Sequence, residues 1–522
     1  MKNKKAIIWI LIIITILQIS VRIYVGGQKT YFHIDEAYSY GLMNYDKLNI
    51  TDNEDFLNIW HDKSYYLDYL EINDDEKLDW KPVYENQKND VHPPLYYFLL
   101  RCMASFTIKY FTKWTGLILN IILFCISNVF IYKISKKIFK NPIYGILACF
   151  INGFSIISIN TSNYIRMYEL ANLATLSLTW FHLKIYEKEK ISVKDLIPIF
   201  ISFILGGLTH YYVLLYGLGL YIFYTFKCIK NKQKSNLLKY QITIILCAII
   251  YLLIFPYSIG HVFFSYRGVT QVKNDVITQI LGYIKIINKE FFNNLFVLLI
   301  IVVIILYKPN TKIFNAIKNK ISAIKNKFKN EKQKINTSKK HIDGILIIIF
   351  SIIIYFCIVI PKAPYIEARY VMPIYSMIII SVLYLVRKTI IKNRKEKETL
   401  FILTFIYLII IYSPLITNTK LDFTYEQYRT LVNKIQQENK PIVYVFDARE
   451  NRFLDDIYLF TLVDKSIVVE KDKVEEAFRE RKNLTLICQD DEIAEISEKF
   501  NFKYELLQKM NACTVYNVEF NN

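Results

Sequence analysis

The chain has 522 residues, and 65 Lys+Arg against 46 Asp+Glu leave a net charge of +19. Such a basic excess invites a nucleic-acid partner, but 53% hydrophobic and 16% aromatic residues with a mean hydropathy of +0.24 argue for a protein that crosses a membrane repeatedly. Only 14 Gly and 12 Pro are present, which excludes a low-complexity chain.

Taken in order, the first apolar stretch, Ala6 to Val25, follows Lys2, Lys4 and Lys5 and has no small-residue cleavage site after it. It reads as a retained signal-anchor helix. Further windows long enough to cross roughly 30 Å of hydrocarbon lie near 114–132, 142–159, 168–186, 194–210, 211–227, 240–258, 291–307, 343–361, 370–387 and 399–416, for about eleven spans. Lysine and arginine sort the loops. Lys133 to Lys140, Lys184 to Lys190, Lys227 to Lys234, Lys308 to Lys340 and Arg387 to Lys397 all fall on one side if the N-terminus is cytoplasmic, as the positive-inside rule requires. Much of the net charge then faces anionic lipid.

Pro93 to Phe111 breaks this alternation if it spans, so it is expected to be a re-entrant or interfacial helix. The opposite face receives a long first loop, residues 26–92, and the tail, residues 417–522. The tail alternates candidate helices (Tyr425 to Gln437, Arg452 to Leu462, Val474 to Arg481, Glu492 to Phe500) with apolar runs (Pro441 to Phe446, Ser466 to Val469, Leu484 to Cys488). The expected architecture is a polytopic α-helical membrane domain, residues 1–416, followed by a small extracytoplasmic α/β domain, residues 417–522. Eight cysteines show no CxxC or zinc-ligand spacing, and Cys488 and Cys513 on candidate strands could pair.

Five polar clusters sit at span ends: His33-Ile-Asp35-Glu36-Ala-Tyr38, His92-Pro-Pro-Leu-Tyr-Tyr97, Asn163-Tyr164-Ile-Arg166-Met-Tyr168-Glu169, Thr209-His210-Tyr-Tyr212 and Glu367-Ala-Arg369-Tyr-Val-Met-Pro373. Loop assignment from Lys and Arg alone places all five on the outer face. Burial of ionisable groups at a membrane boundary requires pairing or use. The carboxylates of Asp35, Glu36, Glu169 and Glu367 can serve as bases, and the cations Arg166, Arg369, His92 and His210 can clamp a phosphate. Each cluster also has an ordinary account: solvated loop charges, a proline-fixed helix start, snorkelling arginines, a turn histidine and aromatic-belt tyrosines. Their joint occurrence favours one active site in which a group leaves a lipid phosphate.

Asp35-Glu36-Ala-Tyr-Ser, Val91-His-Pro-Pro-Leu-Tyr-Tyr97, Arg166-Met-Tyr168, Thr209-His-Tyr211 and Arg369-Tyr-Val-Met-Pro373, in that order, resemble the bacterial family 39 type glycosyltransferases of the GT-C fold, which include relatives of protein O-mannosyltransferases and of the aminoarabinose transferase. The resemblance implies a polyprenyl-phosphate-linked sugar as donor, an extracytoplasmic acceptor and inversion at the anomeric carbon. It assigns catalysis to Asp35 with Glu36 beside it, and donor or phosphate contacts to His92, Arg166, Arg369 and His210. Tyr38, Tyr164, Tyr168, Glu169 and Glu367 would support the acceptor. Two departures stand out. Many relatives carry Glu where Tyr164 stands, and some carry Lys where His92 stands. No metal is demanded, since no multi-carboxylate site is evident. A lipid or polysaccharide transporter would carry charges facing a midplane cavity within several spans, whereas the ionisable residues here gather at one face. A non-catalytic cell-envelope scaffold is the third reading.

Overall fold

The computed structural model describes residues 2–264, 275–294, 343–390, 420–446, 452–479 and 483–521. Helix α1 (Lys2–Gln28) runs 27 residues, about 40 Å at 1.5 Å per residue, enough to cross a bilayer. Its outward side chains Ile8, Trp9, Ile12, Ile13, Ile16 and Leu17 stay exposed, which suits lipid as solvent. Then come α2 (Ile34–Asn44), α3 (Lys63–Leu70), α4 (Lys81–Asn89) and α5 (Leu95–Ala104), followed by the long α6 (Lys113–Phe139). Next are α7 (Pro142–Phe154), α8 (Ile156–Asn163), α9 (Tyr168–Tyr186), α10 (Val193–Thr209), α11 (Tyr211–Lys230) and α12 (Lys234–Ile254).

Six helices among the described residues are long and apolar enough to span: Lys5–Gln28, Lys113–Phe139, Tyr211–Lys230, Lys234–Ile254, Gly344–Lys362 and Ala368–Lys388. The α7–α8 pair, bent by 58°, makes a broken seventh. About eleven spans is therefore not what the described residues deliver. Helices α9 and α10 do occupy the windows near 168–186 and 194–210. In α9 the buried stripe Glu169, Asn172, Thr175, Thr179 and His182 recurs at helical spacing, so this helix turns its polar groups into the protein. The windows near 291–307 and 399–416 lie outside the described residues. Between α7 and α8 the Ser155 hydroxyl takes over as N-cap, accepting from Ser158 N at 3.4 Å.

Helix α5 is ten residues, about 15 Å, half of what a crossing needs. It packs instead against the first loop: Arg101 donates to Met43 O and Glu76 O, each at 2.7 Å. Pro93 to Phe111 therefore holds no helix long enough to cross a bilayer by itself.

The tail forms one mixed sheet of β1 (Trp60–His61), β2 (Ile442–Phe446), β3 (Ser466–Glu470), β4 (Leu484–Cys488), β5 (Phe502–Lys509) and β6 (Thr514–Phe520), in the order β1-β3-β2-β4-β6-β5. Strands β2, β3 and β4 are parallel and buried on both faces, which explains their continuous apolar runs. The β5–β6 hairpin was not read from the sequence because β5 is largely exposed and polar. Strand β1 comes from the first loop and pairs antiparallel with β3, Trp60 opposite Ile467. One aromatic core joins the loop to the tail: Phe56 packs on Phe453 and Tyr66 on Phe460, each with ring centroids 4.9 Å apart. Cys488 and Cys513 are both free thiols, so the suggested disulfide is absent; Cys513 Sγ lies 3.2 Å from Tyr444 Oη.

Candidate active site

The acidic pair opens α2, and the helix N-terminus explains both residues. His33 is the N-cap: its Nδ1 accepts from Asp35 N at 3.0 Å, and Glu36 Oε2 accepts from His33 N at 2.8 Å, a capping box. Asp35 and Glu36 therefore share the positive end of one helix but point to different partners.

Glu36 is fully buried and saturated. Lys29 Nζ donates to both its oxygens, at 3.0 and 2.8 Å, and Ile165 N donates to Oε1 at 2.8 Å. Lys29 also donates to Phe423 O at 2.6 Å. Glu36 thus ties the end of α1, the start of α2 and the α8–α9 turn together, and its carboxylate has no face left for a substrate. The family resemblance implies a catalytic pair, whereas the bonds Glu36 makes here are those of a structural tie.

Asp35 is different. Its Oδ2 accepts from Tyr164 Oη at 2.5 Å and from Arg369 Nη1 at 3.0 Å, and its side chain keeps 14% exposure. Arg369 uses Nε on Glu367 Oε2 at 2.7 Å, so one guanidinium bridges two carboxylates. Burial alone would raise the Asp35 carboxyl, but the charges of Arg166, His33 and Arg369 overcome it and hold the group well below the usual carboxylate range.

The turn after α8 supplies Tyr164 and Arg166. Asn120 from α6 donates to Ser162 O at 3.2 Å and Tyr164 O at 2.8 Å, and Ser39 donates to Ile165 O at 2.9 Å, which fixes this turn against α2. Tyr164 stacks on Phe423 with centroids 3.9 Å apart. Buried Arg166 donates through Nη1 to Tyr97 Oη at 3.0 Å and Ser39 Oγ at 3.3 Å, while its Nε has no hydrogen-bond partner among the described residues.

The histidines close the ring. His92 Nδ1 lies 2.7 Å from Asp90 Oδ2; burial would raise that carboxyl, but His92 and Arg166 hold it well below its ordinary value. His210 caps α11, accepting from Tyr212 N at 3.1 Å. Ring contacts run from His92 to His210 (6.1 Å), to Tyr168 (5.7 Å), to Tyr164 (5.7 Å) and on to His33 (5.5 Å). All five clusters therefore meet at one place. Tyr38 is half-buried on α2, one residue before Ser39.

Glu169 does not join Asp35 by any hydrogen bond. It is fully buried, 3.3 Å from Ser162 Oγ and 3.4 Å from Tyr375 Oη. Arg22 of α1 reaches the same Ser162, donating to its Oγ at 2.9 Å, and Ser158 Oγ at 2.6 Å, which in turn lies 3.2 Å from Tyr375 Oη. An arginine and a glutamate thus lie inside the helix bundle, so the ionisable residues are not confined to one membrane face. Arg22 went unnoticed although a charge within the first apolar window was signal enough. Asp90 and Phe423 lie outside the five sequence clusters; Asp90 joins the site through His92 two residues on, and Phe423 only through its stacking on Tyr164 across the fold. Among the described residues no three His, Cys, Asp or Glu side chains are grouped to hold a metal.

The family model for dolichyl-phosphate-mannose-protein mannosyltransferase matches residues 91–259, a stretch that contains His92, Arg166 and His210. Two solved structures share the fold across the chain. ArnT from Cupriavidus metallidurans bound to undecaprenyl phosphate superposes with a TM-score of 0.51 at 10% identity, covering 96% of this chain and 97% of that one. The chain shares its GT-C fold with that protein over nearly its whole length. The apo state of the same ArnT gives a TM-score of 0.50 at 10% identity with the same coverage. No curated protein matches the sequence significantly. At this identity the GT-C likeness carries the arrangement of helices and sheet; the roles of single side chains rest on the geometry above.

Proposed function

We propose that this GT-C protein moves one sugar from a polyprenyl phosphate to a hydroxyl or amine on an extracytoplasmic lipid, glycan or protein, with inversion. The observation that carries the proposal is the Asp35 carboxylate, partly open at the membrane boundary and held between Tyr164 and Arg369 beside the unsatisfied Nε of Arg166. A structural relative in complex with undecaprenyl phosphate supports the lipid-phosphate half of the donor.

In the proposed step the acceptor oxygen or nitrogen forms a bond to the anomeric carbon and its proton passes to Asp35. The bond from that carbon to the phosphate oxygen breaks, and its electron pair leaves on the polyprenyl phosphate. One displacement inverts the centre. As it stands, Asp35 is too well stabilised to be a strong base, because two donors share one oxygen. A donor phosphate that draws Arg369 or Arg166 toward itself removes that stabilisation as the leaving group arrives, so base strength rises when it is needed. The guanidinium groups meanwhile stabilise the charge growing on the phosphate. His92, on Asp90, and His210 would line the far side of the donor headgroup.

The test is incubation of membranes holding the full chain with a panel of radiolabelled polyprenyl-phosphate sugars, followed by assignment of the anomeric configuration of any product. Transfer with inversion is expected. Transfer with retention would remove the single-displacement step, and uptake of donor into sealed vesicles without glycosidic product would favour the transporter reading.

A further inference from the structure

A second cavity, of about 410 Å³, opens beside the active-site cluster where α1 ends, α6 begins and the tail rests on both. Its charge is one-sided. Lys113, the first residue of α6, donates through Nζ to Gly27 O at 3.2 Å and to Lys29 O, both carbonyls at the end of α1. Arg429 does the same from the tail, donating through Nη2 to Gln28 O at 3.1 Å and Gln28 Oε1 at 3.0 Å. These bonds cap α1, which is the ordinary role of a cation at a helix C-terminus.

Capping leaves donors over. Lys113 has a third N–H, and Arg429 has Nη1 and Nε, none of them engaged among the described residues. Lys113 has no carboxylate within 4.0 Å among those residues, and the nearest charges acting on it are Lys29 and Arg429. Four carboxylates touch the walls: Glu36 is consumed by Lys29, Asp456 accepts from Tyr31, Glu71 accepts from Phe111 N, and Glu426 pairs with Arg429 on its exposed side at 3.7 Å; none of them pairs with Lys113. A half-buried Lys113 with no carboxylate partner among the described residues, beside a partly exposed Arg429, is costly to build unless an anion enters the cleft.

Its position says which anion. Lys113 and Trp114 begin a membrane span and Gln28 ends one, so the cleft lies at the boundary where lipid headgroups sit, with Trp114 in its wall as an interfacial aromatic would be. The tail's helix Arg429–Glu438 presents Arg429, Val432, Asn433 and Gln436 to the cleft, an i, i+3, i+4, i+7 stripe with a cation at one end and amide donors beyond it. Bulk water does not need such a stripe; a phosphate with an attached polar headgroup does.

We propose that this cleft binds the phosphate of an anionic membrane lipid, with Lys113 and Arg429 as its ligands, and that the bound lipid fastens the tail to the membrane boundary. The site is separate from Asp35 and stands whether or not the glycosyl transfer proposed above is correct.

The test is amide hydrogen exchange on the full chain reconstituted in bilayers of phosphatidylcholine alone or with phosphatidylglycerol added. Phosphatidylglycerol should slow exchange by about tenfold in segments 27–32, 110–116 and 429–436, as one charged hydrogen bond's worth of extra stability predicts. Lys113→Gln with Arg429→Gln keeps a donor for each capped carbonyl and should lose that protection; Lys113→Arg with Arg429→Lys should keep it, and Lys503→Gln, on an exposed strand, should not change it. No added protection by phosphatidylglycerol, or protection that persists in the double glutamine variant, would overturn the proposal. Equal protection from millimolar inorganic phosphate in phosphatidylcholine alone would overturn the lipid and assign the cleft to a free phosphate.

Discussion

Two clusters built from the same parts hang from one stretch of chain, residues 158–169, and behave in opposite ways. In the first, Asp35 and Arg369 meet directly at 3.0 Å with Tyr164 on the same oxygen, and their side chains keep 14% and 19% exposure. In the second, Arg22 and Glu169 are 4% and 0% exposed and communicate through the hydroxyls of Ser158 and Ser162, with Tyr375 within 3.4 Å of Glu169. The sealed cluster stitches α1, α8 and α9 together where no water can satisfy the groups. The open cluster holds its charges where a substrate can exchange places with them. Residue type alone does not separate structure from chemistry here; access does.

The comparison breaks most visibly if Asp35 can be neutralised without loss. Asp35→Asn keeps an oxygen for Tyr164 and Arg369 but no base, and transfer is expected to fall about 10³-fold in protein that still folds and inserts, with a lowered melting temperature from the lost charge pairing with Arg369, read by label transfer and by a melting curve. Glu36→Ala, one residue along, should do the reverse. It strands buried Lys29 without a carboxylate, leaving only Phe423 O as its acceptor, a loss of about 3–5 kcal/mol in unfolding free energy as measured by chemical denaturation. Arg369→Gln removes the bridge between Asp35 and Glu367 and should cost about 10²-fold in kcat, measured in the same transfer assay. Glu169→Gln preserves hydrogen bonding to Ser162 and Tyr375 inside the sealed cluster, and activity should stay within about threefold of wild type, a change smaller than one lost hydrogen bond.

Acidity sharpens the contrast between the membrane site and the tail. Asp35 is ionised far below neutrality, so lowering the pH toward 5 should produce no fall in kcat/KM of the free enzyme from this group. Its contribution to stability is present above the unfolded carboxyl value and is lost only in strong acid. In the tail, burial and the neighbouring charge of Asp455 push Asp456 up to about 7. The folded form therefore holds a proton that the unfolded chain releases between about pH 4 and pH 7, and stability falls as pH rises through that window. Asp456→Asn should flatten that slope in melting curves taken from pH 5 to 8.

Much of the site was legible because its residues lie at span ends, where apolar periodicity stops and a polar group must have a reason. His33, Asp35, His92, Tyr164, Arg166, His210 and Arg369 all come together as their clustering suggests. What sequence could not show is direction. Asp35 and Glu36 are neighbours in the chain, yet a capping box turns one toward Lys29 and leaves the other toward Arg369, 334 positions away. Tyr164, standing where many relatives carry Glu, supplies a hydroxyl to Asp35 rather than a second carboxylate. Arg22, a lone charge inside the first apolar stretch, finds its partners only when α8 packs on α1. Lys113 and Arg429 come to share a cleft only because the tail folds back over α1. In the tail the buried parallel strands announced themselves, and β1 and β5, one a two-residue pairing and the other mostly exposed, did not.

The measurement that bears most directly on the account is sugar transfer from a polyprenyl phosphate by three forms of the full chain in membranes: wild type, Asp35→Asn and Glu169→Gln. Transfer by wild type and Glu169→Gln with none by Asp35→Asn is the result that two matched clusters of unequal access predict. Transfer that survives Asp35→Asn and disappears in a properly inserted Glu169→Gln would contradict it, because the chemistry would then belong to the sealed cluster.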